Sequence, residues 1–255
     1  MSNTDIIINS PDLWADTIPS PDERSHKYTQ GHALIYAAPE FTGATNLAAQ
    51  SCARVGAGLV SVMAGHRGDL YRTILPPHII VRDNLDWKDD RVTAQLYGSG
   101  GLMCTPDYKS KIPTILDADA LSKLPVELAP NYILTPHEGE FAKTFPEIKG
   151  DKIENAKQAA QNINAIIVLK GAETIIAHPD SRLVLNNHSS PYLATAGTGD
   201  VLAGMITGFC AQGMEPFYAA CAAVWIHGET GKKLGRSMVA SDVPAKIPEI
   251  MNIFS

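Results

Sequence analysis

Short apolar runs alternate with longer segments of helical periodicity along most of the chain. Apolar runs typical of buried strands occupy residues 32–37, 59–63, 113–117, 132–135 and 166–169. Apolar side chains recur at helical spacing over residues 44–55 and 152–163. Because strands that alternate with helices form βαβ units, the pattern predicts an α/β protein with a mostly parallel sheet.

The last third of the chain is predicted to form a hairpin followed by helices. Two apolar runs, 174–177 and 182–185, flank a His-Pro-Asp-Ser turn and are expected to pair on the far edge of the sheet. Helices are predicted over residues 200–212, 216–234 and 243–253. The sequence therefore predicts that the chain after the hairpin is mainly helical.

The beginning of the chain differs in composition from the rest. Residues 1–29 are polar and proline-rich, which indicates a lead-in segment on the surface. No repeat, low-complexity segment or linker divides residues 30–255. We therefore expect a single domain over residues 1–255.

Composition and charge restrict the classes of partner. A net charge of −6 and a pI near 5.7 argue against nucleic acid and anionic membranes, since both attract basic surfaces. No stretch has the form of a signal peptide or a membrane span. The four cysteines form no metal-type pair, and His227 is interpreted as a packed histidine. These features predict a soluble, cytoplasmic protein.

A turn of small residues runs directly into an apolar helix at residues 194–208. Gly197, Thr198 and Gly199 lie where a helix N-terminus offers free backbone N–H groups and a positive dipole end, so they are predicted to form an anion hole for phosphate. Asp200 would repel phosphate unless it faces the acceptor and takes a proton from the attacking hydroxyl. Asp200 is therefore a candidate catalytic base, and the alternative is a plain helix cap.

Polar residues also follow three of the predicted strands. Lys170, just before a glycine, could place its ammonium group on a nucleotide phosphate or could be an ordinary loop lysine. His137 could hydrogen-bond a polar substrate and Glu140 could act through water on a phosphate-bound metal, whereas acids there could also simply start a helix. Asp117 and Asp119 could hold Mg²⁺ through water or cap a helix.

Taken in order, these segments resemble the NAD(P)H-hydrate dehydratase family over nearly the whole chain from Gly31. The matching segments are residues 42–49, 56–60, 116–121, 134–141, 169–174, 197–204 and 240–242. Gly-Thr-Gly-Asp is shared with the wider ribokinase-like superfamily, whereas Thr-Pro-His-x-Gly-Glu-Phe and Lys-Gly-Ala-x-Thr are more specific. The resemblance implies a ribokinase-like three-layer α/β/α sandwich with a mostly parallel central sheet.

The resemblance also implies a lyase that repairs hydrated nicotinamide cofactors. In this family ADP, or ATP in eukaryotic members, phosphorylates the ring hydroxyl of the S epimer of NADHX or NADPHX. Loss of phosphate then restores NADH or NADPH, and ADP is left as AMP. The family's usual pattern adds Mg²⁺, a homotetramer and a functional link to a separate NAD(P)H-hydrate epimerase.

The matching positions imply a set of site residues. The hydrate is expected to contact Ala44, Gly100, His137 and Asp200. The adenine nucleotide is expected to contact Lys170, Gly171, Ala172, Glu173, Thr174 and Gly199. Asp200 would deprotonate the attacking hydroxyl while the amides of residues 197–200 stabilise charge on the phosphoryl group.

The chain departs from the family pattern in three places. The usual Gly-Gly-Ser is Ala37-Ala-Pro-Glu40, and the usual Gly-Pro-Gly-Leu-Gly is Gly98-Ser-Gly-Gly-Leu102. The stretch from there to Leu116 is also too short for the customary helix. We expect these differences to alter the rim of the substrate cleft or an oligomer contact.

Two other functions are compatible with the same motifs. A small-molecule kinase of the superfamily, acting on a vitamin precursor or a sugar, would keep Asp200 and the anion hole but release a stable phosphorylated product. Sugar kinases of that kind carry asparagine where this chain has His137. A non-catalytic nucleotide-binding module would be expected to have lost Asp200, which is present.

Overall fold

A computed structural model describes residues 6–254 and places one large sheet at the centre of the molecule. The strands are β1 (Ile7–Ile8), β2 (His32–Tyr36), β3 (Leu59–Met63), β4 (Ile80–Arg82), β5 (Ala94–Tyr97), β6 (Thr114–Leu116), β7 (Tyr132–Leu134), β8 (Ile166–Leu169), β9 (Thr174–Ala177) and β10 (Leu183–Asn186). Their order across the sheet is β1-β10-β9-β8-β7-β6-β5-β2-β3-β4.

Most neighbouring strands run parallel. Every pair from β4 across to β8 is parallel, while β9 is antiparallel to both β8 and β10. In a parallel set all the carboxyl ends meet at one edge. The loops after β2, β5, β6, β7 and β8 therefore gather there, and these loops carry most of the predicted site.

Helices cover both faces of the sheet. They are α1 (Thr42–Arg54), α2 (Gly68–Ile74), α3 (Glu138–Thr144), α4 (Lys152–Ile163), α5 (Thr198–Ala211), α6 (Pro216–Leu234) and α7 (Asp242–Met251). In β8, Ile166 and Val168 join the core with α1, α5, α6 and α7, while Ile167 and Leu169 join the core with α3 and α4. A strand buried on both faces explains its unbroken apolar sequence. The predicted α/β/α sandwich is confirmed.

The N-terminal segment contributes more to the fold than a surface lead-in would. The predicted hairpin, β9 and β10, forms, but β10 is not the edge strand because β1 pairs with it in parallel. Trp14 is buried and its indole Nε1 donates to Asn9 Oδ1 over 3.1 Å. The expectation that residues 1–29 lie on the surface was therefore wrong for part of the segment. Residues 1–5 lie outside the described residues.

Two strands have no clear signal in the sequence, whereas one irregular stretch was predicted. In β5 the polar Gln95 interrupts the apolar pattern, and its buried amide donates to the Thr114 hydroxyl over 3.0 Å. In β4 only three half-buried residues are extended, and the guanidinium of Arg82 lies over the Trp87 ring. The stretch from residue 98 to 113 contains turns but no helix, as its length predicts.

None of the helices between residues 6 and 254 is long and apolar enough to cross a bilayer.

Candidate active site

The N-terminus of α5 is built on a glycine in a left-handed conformation. Gly197 is the residue that precedes the helix, with φ of 94°, and a Cβ there would lie 2.6 Å from Leu47 Cδ1. The Thr198 hydroxyl donates to the Leu193 carbonyl over 2.8 Å, which fixes the turn. The first N–H groups of α5 have no acceptor within the helix, so they can bind an anion.

Beside Asp200, a buried carboxylate accepts three hydrogen bonds. Asp117 is 2% exposed. Its Oδ2 accepts from the Ser99 hydroxyl over 2.9 Å, and its Oδ1 accepts from the Thr135 hydroxyl over 2.7 Å and from Lys170 Nζ over 3.2 Å. Its side chain makes no cap hydrogen bond to the next turn. Asp117 therefore holds Lys170 in place, and both of its oxygens are already engaged.

Asp200 itself is the third residue of α5 and is partly buried. Burial and, secondly, the neighbouring Asp117 raise the pKa of its carboxyl from 3.8 to about 7, while Lys170 and hydrogen bonding from Ser99 oppose the rise. Carboxylates that merely cap a helix are stabilised in the charged form, which lowers the pKa. The pKa of Asp200 shifts in the opposite direction, and the residue in the cap position is Gly197. Both observations favour the interpretation of Asp200 as a base over its interpretation as a helix cap.

A cavity of about 910 Å³ opens beside the N-terminus of α5. Among its lining residues are His137, Lys170, Gly171, Ala172, Thr174, Thr198 and Gly199. A Cβ built on Gly199 would lie 3.4 Å from Lys170 Nζ, so the ammonium group and the helix amides face the same space. All the residues predicted to bind nucleotide line this cavity except Glu173.

Lys152, which the sequence did not mark as a site residue, holds the loop that carries Glu173. Its Nζ donates to the Glu173 carbonyl over 2.6 Å and to Glu138 Oε1 over 2.9 Å. A side chain at Gly171 would collide with the same ammonium group. Glu173 thus contributes its backbone to the shape of the loop after β8. A lysine on an amphipathic helix looks like a solvated residue in the sequence, so only the contacts reveal its role.

His137 caps a helix with one ring nitrogen and exposes its side chain to solvent. Its Nδ1 accepts from the backbone N–H groups of Gly139 and Glu140 at 3.0 and 3.3 Å, and Glu140 Oε2 accepts from the His137 N–H at 2.8 Å. This reciprocal capping box starts α3. Because Nδ1 accepts, the neutral ring carries its proton on Nε2. The side chain is 60% exposed, so Nε2 can donate to a ligand.

A second cavity, of about 550 Å³, shares no lining residue with the first. Gly100 lines it together with Phe41 and Asp119. A Cβ on Gly100, whose φ is 75°, would collide with the Ala44 Cβ and the Phe41 carbonyl. Two of the residues predicted to bind the hydrate are therefore in contact. Asp200 lines neither cavity directly.

Among the polar residues of the larger cavity that the sequence did not assign to it is a buried histidine. His227 is 9% exposed, its buried Nε2 has no hydrogen-bond partner in the described structure, and it lines the wall of this cavity. Burial lowers the pKa of its imidazole to about 4. The ring is packed, as predicted, and it also gives this wall an uncharged polar surface.

The donor groups for a metal are sparse. Within residues 6–254 no group of three His, Cys, Asp or Glu side chains is arranged to hold an ion. Glu140 Oε2 is engaged in the capping box, and its Oε1 lies 3.6 Å from His137 Nε2. Since Mg²⁺ often binds through one or two carboxylates plus substrate phosphates and water, this donor set suits an ion carried by a nucleotide.

The fold and this strand-edge site define a ribokinase-like protein. A ribokinase-like superfamily protein from Enterococcus faecalis superposes with a TM-score of 0.85, at 21% identity, and the match covers 100% of this chain and 98% of that one. At this identity the likeness defines the fold alone.

The family is more specific. The family model for NAD(P)H-hydrate dehydratase matches residues 33–252, so the chain belongs to this family. ADP-dependent (S)-NAD(P)H-hydrate dehydratase of Bacillus subtilis is 33% identical over 93% of this chain and 95% of its own length. The crystal structure of ADP/ATP-dependent NAD(P)H-hydrate dehydratase from B. subtilis, co-crystallised with ATP and Mg²⁺, superposes with a TM-score of 0.85 at 28% identity and full coverage of both chains.

Other relatives are longer than this chain. The bifunctional NAD(P)H-hydrate repair enzyme of Moorella thermoacetica is 32% identical over 92% of this chain, but the match covers 52% of that relative. The chain thus spans about half the length of the bifunctional curated relatives it matches.

Proposed function

We propose that the protein is an ADP-dependent (S)-NAD(P)H-hydrate dehydratase, a lyase that converts the S epimer of NADHX or NADPHX to NADH or NADPH and leaves AMP and phosphate. The observation that carries the proposal is the Asp200 carboxyl, whose pKa is raised to about 7 at the amide-rich end of α5, beside Lys170. Membership of the family and the name of the B. subtilis relative support this substrate.

Asp200 acts as the general base. Its carboxylate takes the proton of the ring hydroxyl as the hydroxyl oxygen attacks the terminal phosphorus of the nucleotide. Because its pKa is about 7, Asp200 is a stronger base than an ordinary aspartate and is still partly ionised at neutral pH. The bond from the nucleotide to that phosphorus breaks, and the phosphorylated hydroxyl becomes a good leaving group. Departure of phosphate with loss of a ring proton restores the dihydronicotinamide.

The larger cavity binds the nucleotide. Lys170 and the free amides of Thr198 and Gly199 face one space, where they would hold the phosphates and stabilise charge on the transferring phosphoryl group. Asp117 fixes the Lys170 ammonium group at 3.2 Å, so the cation is positioned before the nucleotide arrives. The loop after β8, held by Lys152, forms the adjoining wall.

The hydrate approaches Asp200 from the other side. Gly100 lines the smaller cavity and lies against Ala44, and His137, on the wall of the larger cavity, presents Nε2–H from the start of α3. Together these groups would orient the ring hydroxyl toward both Asp200 and the phosphates. Mg²⁺ would neutralise phosphate charge when bound, and Glu140 is the residue that would contact it through water.

Several wider features belong to the same proposal. The resemblance to the family supports a cytoplasmic homotetramer, and the bifunctional relatives support a functional link to an NAD(P)H-hydrate epimerase. Such an epimerase would convert the R hydrate into the S form that this site accepts. Nucleic acid and membranes are not expected partners, because the net charge is −6.

The decisive experiment supplies the S hydrate and a nucleotide separately. The protein is incubated with NADHX or NADPHX and either ADP or ATP, and NADH or NADPH absorbance is followed at neutral pH. Formation of reduced cofactor that depends on nucleotide supports the proposal, and failure with both nucleotides overturns it. Accumulation of a stable phosphorylated product would instead identify a kinase. Asp200→Asn is the control variant and should still bind nucleotide without turnover.

A further inference from the structure

A closed ring of hydrogen bonds holds the backbone where it leaves β2. The Ala38 N–H donates to the Thr45 hydroxyl over 2.8 Å, and the Tyr71 hydroxyl donates to the Ala38 carbonyl over 2.6 Å. The two hydroxyl oxygens lie 3.1 Å apart. Because the single hydroxyl proton of Tyr71 is given to the carbonyl, the Thr45 hydroxyl is the donor between them. Side chains from α1 and α2 therefore satisfy both the N–H and the carbonyl of Ala38.

Burial makes this ring a strong restraint on the path of the chain. Ala38, Thr45 and Tyr71 are all 0% exposed. A buried backbone group that loses its partner is strongly unfavourable, since water cannot replace the lost hydrogen bond. The two hydroxyls therefore favour one path at the point where the backbone leaves the sheet. The Arg67 guanidinium, which donates to the Pro39 carbonyl, extends the restraint by one residue.

The restrained segment forms part of the wall of the smaller cavity. Residues 39–41 line this cavity together with Gly100 and Gly101. A Cβ built on Gly100 would lie 3.2 Å from the Ala38 Cβ, and a Cβ built on Gly101 would lie 2.8 Å from Pro39 Cδ. The segment and the glycine turn are thus in close contact, so a shift of the segment would change the shape of the cavity.

We propose that Tyr71 and Thr45 are positioning residues for the hydrate: they hold residues 38–41 so that the smaller cavity keeps the shape that accepts its ring. This inference rests on the proposed function for the identity of the ligand. Neither side chain is among the lining residues of the cavity, so both act through the backbone that they hold. Lys170 and the amides of α5, which hold the nucleotide, belong to other parts of the chain.

The test compares Tyr71→Phe and Thr45→Val with Thr45→Ser, which keeps the hydroxyl, and with Tyr132→Phe as a matched control. Tyr132 is another buried tyrosine, and its hydroxyl donates to the Asp107 carbonyl over 2.7 Å and accepts from the Ser110 N–H over 2.9 Å. It begins β7, so it lies toward the edge of the sheet that is opposite the candidate site.

Two readouts are measured for each variant of the full chain. The first is steady-state repair of NADHX with ADP, from which kcat and the KM for each substrate are obtained. The second is amide hydrogen exchange of the protein without ligands, followed over residues 37–45 and, for comparison, over residues 170–174. Thermal melts show how much each substitution lowers the overall stability.

Loss of either hydroxyl is expected to raise the KM for NADHX about three- to tenfold, the equivalent of one hydrogen bond, because the cavity wall is no longer held in one position. The KM for ADP and kcat should change less than about twofold, since Lys170 and Asp200 keep their places. Exchange should become faster over residues 37–45 and stay unchanged over residues 170–174. Thr45→Ser should resemble the wild type, and Tyr132→Phe should lower the melting temperature without moving either KM.

An unchanged KM for NADHX in Tyr71→Phe would overturn the proposal, as would an equal increase in the KM for ADP. Tyr71→Phe keeps the aromatic ring, so it carries the test if Thr45→Val does not fold. If the wild-type protein fails to repair NADHX, the proposed function falls. Hydrogen exchange, which needs no substrate, then decides whether the two hydroxyls hold the segment, and equal exchange in Tyr71→Phe and the wild type would show that they do not.

Discussion

Replacing Asp200, the proposed catalytic base, should make the protein more stable at alkaline pH. Asp200 is ionised in the unfolded chain above its ordinary pKa, but in the folded chain only above about 7. Between these two pKa values Asp200 is protonated in the folded state but ionised in the unfolded state. The unfolding free energy therefore falls as the pH rises, and the whole loss is present above pH 7. Asp200→Asn removes the ionisable group and with it this pH-dependent cost.

The size of the effect is set by the raised pKa. From pH 5 to pH 8 the wild-type protein should lose at most about 3 kcal/mol of unfolding free energy through Asp200 alone, using 1.36 kcal/mol for each pH unit of differential ionisation. Asp200 is partly exposed, and solvent screening reduces the expected value to about 2 kcal/mol. Turnover should be lost in the same variant, so stability and activity change in opposite directions.

The assay is urea unfolding of wild type and Asp200→Asn at pH 5 and pH 8. At each pH, the unfolding free energy of the wild type is subtracted from that of Asp200→Asn. The value at pH 5 is then subtracted from the value at pH 8, which cancels any packing effect that does not depend on pH. Asp16→Asn, at an exposed acid in the N-terminal segment, is the control and should show no such difference. If the Asp200→Asn advantage does not grow from pH 5 to pH 8, the burial argument for a raised pKa is wrong.

Three further substitutions separate binding from folding. Gly100→Ala should lower the stability by about 3 kcal/mol, because the new Cβ is strained at a positive φ and also collides with its neighbours. Gly213→Ala has a similar φ but open space around it, so it should cost about 1 kcal/mol. Thermal melts of the two variants measure this difference. His137→Asn keeps a good helix cap but loses Nε2–H, so the KM for hydrate should rise at unchanged melting temperature. Lys170→Met should weaken nucleotide binding, as measured by calorimetry. It should also destabilise the protein by about 3 kcal/mol, because it leaves the buried Asp117 carboxylate without its cationic partner. Adding Asp117→Asn should restore the stability but not the affinity for nucleotide.

The regular part of the fold was predictable because its residues are buried in a periodic way. β8 is apolar throughout since both of its faces are covered, and α4 has the same bounds in the prediction and in the structure. β1 was not predicted, because a run of three isoleucines, Ile6 to Ile8, in a polar segment is too short to show a periodicity of its own. Its strand conformation depends on pairing with β10, which lies far along the chain.

The parts of the candidate site that depend on local backbone geometry could be predicted from the sequence. The parts that depend on contacts between distant loops could not. A glycine turn before a helix marks the anion hole locally, and Asp200 comes directly after it. The function of Asp117 depends on Ser99 and Lys170, which come from different loops, so spacing in the sequence left its role open. The departure from the family pattern at Ser99 carried no sign, in the sequence, of a hydrogen bond to Asp117.

The N-terminal segment connects an intrinsic fluorophore to the larger cavity. Asn9, next to β1, accepts from the Trp14 indole and donates from Nδ2 to Asn186 Oδ1 over 2.9 Å, and Asn186 lines the cavity wall. Trp14 also lies 5.8 Å from the ring of Trp225 on α6. Two of the three tryptophans in the chain are thus linked to this wall. We therefore expect a ligand in the larger cavity to change the tryptophan emission of the unlabelled protein, and a tag or truncation at the N-terminus should be chosen with this linkage in mind.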